Sequence, residues 1–222
     1  MALHLEREIE RLKRSILSLS AQVEENVRNA VRSIEDRDAE LAATVIQDDS
    51  RVDDMEIEVE EDCLKILALY QPVAIDLRFV IAVIKINNDL ERIGDLAKNI
   101  AERAVDLAQQ QKTSIPFDFG DMSYKAQAML KNSLDALVNL DASLAHEVRA
   151  SDDAVDAIHR QMYAEVENSI RRDPDRAESL IELMGVSQNL ERIADLATNI
   201  AEDVIYMIDG EIVRHTKGDR PS

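Results

Sequence analysis

The 222-residue chain holds one cysteine, no tryptophan, three phenylalanines, four tyrosines, five glycines and four prolines. The single thiol, Cys63, excludes an internal disulfide. So few glycines and prolines leave long segments without a breaker. Strand signals are missing too: β-branched runs are few, and no Asn-Gly or Asp-Gly turn joins two alternating segments. No apolar run reaches the ~18 residues of a membrane span. Glu6, Arg7, Glu8, Glu10, Arg11, Lys13 and Arg14 make the N-terminus too charged for a signal peptide. A soluble, cytoplasmic protein without membrane insertion is expected. Basic side chains are outnumbered, 26 against 45 acidic, for a formal net charge of −19. That balance argues against nucleic acid or an anionic membrane as a direct partner and leaves metal cations and basic protein surfaces. Catalytic signatures are absent as well. There is no Walker-type loop, no G-x-S-x-G and no H-E-x-x-H, and Asp156-x-x-His159 occurs once, so the expectation is a non-enzyme.

What the chain has is helix. Between the breakers it is rich in Ala, Leu, Glu, Arg and Lys, the good helix formers. Leu5, Ile9, Leu12, Ile16, Leu19, Val23, Val27, Ala30 and Ile34 recur at steps of three and four, one apolar stripe along roughly 45 Å of helix. Helices are expected at about 3–35, 38–70, 73–110, 120–140, 142–172 and 175–209. Asp38 and Asp141 are candidate N-caps, and Pro72 and Pro174 belong near the first turn of the helix that follows each.

The chain also repeats itself. Residues 90–102 read LERIGDLAKNIAE and residues 190–202 read LERIADLATNIAE, with eleven of thirteen positions identical. Upstream, Asp49, Val52 and Asp53 match Asp152, Val155 and Asp156. The fold expected is all-α: two tandem pseudo-symmetric three-helix bundles, residues 1–110 and 111–215, with a tail at 216–222. Retained apolar positions such as Ile86, Leu90, Ile93, Ala97 and Ile100 need only packing to explain them. Glu91/Glu191, Asp95/Asp195, Asn99/Asn199 and Glu102/Glu202 fall on the polar side, where change is normally tolerated.

Glu91 and Asp95 are four apart and share one helical face, where like charges disfavour the helix. Asp49 and Asp53, with Glu56 and Glu60, form an acidic row on the preceding helix. Such rows facing each other across antiparallel helices repel unless a cation lies between them. The candidate metal ligands are Asp49, Asp53, Glu91 and Asp95 in the first half and Asp152, Asp156, Glu191 and Asp195 in the second. His159 stands at the Glu56 position and offers a nitrogen. Oxygen ligands in this number suit Mg, Mn, Ca, Fe or Zn. Two other readings are a metal-free helical scaffold whose acid rows dock basic partners, and a metal-dependent phosphoesterase.

The doubled LERIGDLAKNIAE and LERIADLATNIAE segments, the acidic rows before them, the stretch Tyr70-Gln71-Pro72-Val73-Ala74-Ile75-Asp76-Leu77-Arg78 and the tail Gly210–His215 together resemble the PhoU family over about residues 5–215. The resemblance implies multinuclear iron or zinc clusters held by the eight carboxylates named above, with manganese or magnesium also compatible. It implies a negative regulator of phosphate uptake and phosphate-starvation signalling. Its implied partners are a phosphate ABC transporter, through its ATPase, and a sensor histidine kinase. The long amphipathic helices permit a homodimer without requiring one. Arg171–Arg176 departs from Gln71–Arg78, so whatever that loop contacts is engaged by one half only.

Overall fold

The computed structural model of the chain describes residues 2–110, 115, 117–210 and 213. The tail at 216–222, and all of the Gly210–His215 segment except Gly210 and Val213, lie outside them. The described residues form six α-helices and no strand. In chain order these are α1 Ala2–Asp36, α2 Ala39–Tyr70, α3 Ala74–Gln109, α4 Phe119–Asn139, α5 Ala142–Arg172 and α6 Ala177–Asp209. A single 3₁₀ turn, Pro174–Arg176, leads into α6.

Local chemistry sets the helix ends. The Asp38 side chain accepts from the Glu40 and Leu41 amides at 3.1 and 3.0 Å, and Asp141 accepts from Leu144 at 3.0 Å. Each satisfies amides that the first helical turn leaves without an intrahelical partner. Asp118 caps α4 in the same way, through the Asp121 amide. The α1 stripe is buried from Ile9 to Ile34, with Leu5 packed at its edge.

α1, α2 and α3 pack on one another, and α4, α5 and α6 repeat the arrangement. The halves join along α3 and α6, with a smaller contact between α1 and α4. Lys85, early in α3, pairs with Asp203, late in α6, at 3.1 Å. Arg103, late in α3, pairs with Glu182, early in α6, at 2.5 Å. The two helices are therefore antiparallel, and the apolar core runs through both halves as one cluster. At the Gly185 position a Cβ would lie 2.2 Å from Arg103 Cζ, so the missing side chain makes room for that guanidinium.

Candidate metal centre

Each acidic row lies at the edge of its helix's buried stripe. On α2, Val52, Val59, Cys63 and Ile66 are buried against the bundle, which turns Asp53 and Glu56 toward α3. On α3, burial of Leu90, Ile93, Ala97 and Ile100 leaves Glu91 and Asp95 on the facing edge.

 The facing carboxylates lie close enough to repel one another: beyond the effect of burial, Asp53 is raised by Asp49 and Asp95, and Glu91 by Asp95, Asp53 and Glu56. α5 and α6 place Asp152, Asp156, Glu191 and Asp195 in the same relation. The structure thus gathers all eight predicted carboxylates into two clusters, one per half.

The clusters are electrostatically loaded. Burial, then repulsion from Asp195 and Asp156, pushes Asp152 up to about 6. Burial, then Glu191 and Asp156, does the same to Asp195. Glu191, Glu91, Asp53 and Glu56 are also held above their usual range, each mainly by burial and then by neighbouring carboxylates. Groups in this condition gain from either a proton or a cation.

In the second half, one oxygen from each of Asp156, Glu191 and Asp195 lies within 4.8 Å of the others, a spacing that one ion can bridge. His159 stands beside this trio without joining it. Its Nδ1 lies 3.1 Å from Ser187 Oγ, and its ring meets Tyr163 edge-on. In the first half the matching positions hold Glu56 and Asn87, whose Nδ2 donates to Glu56 Oε1 and to the Glu56 carbonyl, both at 3.0 Å.

Lys98 carries a role that the repeat alone did not disclose. Its Nζ donates to Asp49 Oδ2 at 2.6 Å, and Asp49 is buried. The signal was present in the sequence: Lys98/Thr198 is one of only two differences between the thirteen-residue copies. The Lys98 ammonium offsets part of the negative charge at Asp49, and the oxygen-rich donor set fits a hard or borderline divalent metal. Between the clusters a groove of about 770 Å³ crosses the α3–α6 seam, where Arg92, Arg192, Asn99 and Asn199 line it beside Asp95 and Asp195. The retained asparagines therefore sit on the pseudo-symmetric face that links the two centres.

Fold and site together define an all-α tandem-repeat protein with a carboxylate centre in each repeat. The PhoU domain model matches residues 16–104 and again 119–204. The phosphate-specific transport system accessory protein PhoU homolog of Aquifex aeolicus is 36% identical over 209 residues, covering 94% of this chain and 95% of that protein. The Pseudomonas aeruginosa homolog is 35% identical, covering 94% and 86%. The crystal structure of PhoU from Pseudomonas aeruginosa superposes with a TM-score of 0.89 at 34% identity, over 93% of this chain and 99% of that one. That of the phosphate transport system regulatory protein PhoU from Streptococcus pneumoniae gives 0.82 at 29% identity, over 94% and 99%. The chain belongs to the PhoU family.

Proposed function

We propose that this protein is a non-enzymatic negative regulator of phosphate uptake and phosphate-starvation signalling. It acts in the cytoplasm between a phosphate ABC transporter and a sensor histidine kinase, and its carboxylate clusters hold iron or zinc. The observation that carries the metal reading is the convergence of Asp156, Glu191 and Asp195 oxygens within 4.8 Å, duplicated in outline by Asp53, Glu91 and Asp95. The names of its relatives, accessory proteins of phosphate-specific transport systems, support the link to phosphate transport, and the Streptococcus pneumoniae protein, named a phosphate transport system regulatory protein, supports the regulatory part.

Asp53, Glu91 and Asp95 on α2 and α3, and Asp156, Glu191 and Asp195 on α5 and α6, would hold the metal, which would supply positive charge to offset their mutual repulsion. The chain's own side chains do the rest. The carboxylates select a hard cation, and Asn87 and Ser187 steady the Glu56 and His159 side chains beside the clusters. Regulation requires that the partner's two states bind this surface unequally, since equal affinity shifts nothing. The α2–α3 corner is a contact surface of the right kind: Leu69, Val73 and Ile75 are each about two-thirds exposed or more, at 65, 73 and 67%.

The test is complementation in bacteria lacking their own PhoU. The parent chain is expected to restore repression of a phosphate-starvation reporter in high phosphate, and Ile75→Asp is expected to fail while keeping its helical circular dichroism. Full repression by Ile75→Asp removes the corner from the mechanism. Failure of the parent chain, expressed and folded, counts against the regulatory role itself.

A further inference from the structure

We propose that the two centres are unequal, because Lys98 serves the first half as a built-in cation, so that the second half takes metal first and more tightly. The inference rests on the metal reading above and deepens it.

The difference does not lie in net charge. The first cluster holds five carboxylates, Asp49, Asp53, Glu56, Glu91 and Asp95, with one ammonium. The second holds four, Asp152, Asp156, Glu191 and Asp195, with His159 and Thr198 at the Glu56 and Lys98 positions. The difference lies in where the positive charge sits. Lys98 Nζ is 2.6 Å from Asp49 Oδ2. Thr198 Oγ1 is 3.4 Å from Asp152 Oδ1, a long contact from a neutral hydroxyl. Asn87 further tethers Glu56 in the first half, whereas His159 turns to Ser187 in the second.

The oxygens are also spaced differently in the two halves. The trio within 4.8 Å occurs in the second half, and no equivalent first-half trio exists among the described residues. A divalent ion entering the first half either draws Asp49 away from its ammonium or sits at Asp53 and Asp95, within reach of that ammonium's charge. Losing or opposing that charge-assisted contact costs about tenfold in affinity. The Lys98 side chain is 35% exposed, so it can swing into solvent when metal concentration is high enough. Loading is therefore sequential, and the second centre fills at lower metal.

The experiment titrates metal-stripped full-length chain with Zn²⁺ and follows it by calorimetry and by elemental analysis after gel filtration. Asp53→Asn with Asp95→Asn should leave the tightest binding unchanged, and Asp156→Asn with Asp195→Asn should abolish it. In that second background Lys98→Thr should tighten the remaining binding about tenfold. The reciprocal Thr198→Lys, in an otherwise parental chain, should weaken the tightest step by a similar factor. Circular dichroism checks that each variant is folded. Equal weakening by the two Asp→Asn pairs, or no gain from Lys98→Thr, overturns the inequality while leaving metal binding intact. No Zn²⁺ bound by the parent overturns the metal reading and the inequality with it.

Discussion

At the scale of single residues, burial and like charge decide behaviour. Cys63 is fully buried and its thiol is pushed up to about 12, so it stays a protonated packing group. Asp152 and Asp195 stand at about 6 against an ordinary 3.8. A carboxyl raised in this way holds more protons folded than unfolded, so stability falls as pH rises through that window. The metal-free chain should therefore gain stability between about pH 7 and pH 5, by about 1–2 kcal/mol once solvent screening and coupling of the pair are discounted. His159 is shifted down by burial and opposes this, because a folded imidazole below its ordinary 6.5 loses stability on acidification. Glu8 and Glu10, held low by Lys65 and Lys13, mark the lower edge, since their contribution fades as pH falls below about 4.5. Thermal melts of the metal-free parent and of Asp152→Asn with Asp195→Asn isolate the two carboxyls. The parent alone should show the acid gain, and parallel slopes would show that these groups are not strained. Saturating Zn²⁺ should reverse the parent's slope, since acid then competes with metal for the same oxygens.

At the scale of elements, periodicity and caps account for most of what is seen. The apolar steps along α1, the Asp38 and Asp141 caps and the breakers near Pro72 and Pro174 are local signals, and the observed helix limits follow them within a few residues. The left-handed residues that close the helices were less legible. Gly210, at φ 75°, ends α6 with its N–H donating a hydrogen bond to the Tyr206 carbonyl, as a glycine readily does. Leu140 ends α4 at φ 52°, a conformation that L side chains resist by roughly 1–2 kcal/mol. Nothing in Asn139-Leu140-Asp141 announces that geometry; it accompanies a turn in which the Leu140 and Asp141 amides both donate to the Ala136 carbonyl. Leu140 is 55% exposed, so little packing is lost on truncation. Leu140→Gly should stabilise the protein by about 0.5–1 kcal/mol after glycine's greater unfolded-state entropy is subtracted. Urea denaturation measures this, and a destabilised variant would show that the side chain's packing outweighs the strain.

At the scale of the molecule, the repeat builds one body from two similar halves. The seam is symmetric in outline and individual in detail. Lys85 reaches Asp203 on one side, and at the equivalent pair Arg103 covers Gly185 and reaches Glu182. Each half fills the space differently, so neither is a substitute for the other. Because the core passes through α3 and α6 without a break, residues 1–110 expressed alone should expose the face of α3 that α6 covers and should self-associate. Sedimentation or light scattering measures the mass, and a stable monomer would show that the first half is self-sufficient.

Sequence alone determined the helices and their duplication and set eight acids at matched positions, because a 3.6-residue period, a cap and an i, i+4 pair are all written within one turn or two of chain. It did not determine that Lys98 would meet Asp49, forty-nine positions away, or that Arg103 would lie over Gly185. Those partners depend on how far one helix slides and turns against the next. Only the packed core sets that register, since side chains from several helices must interlock at once.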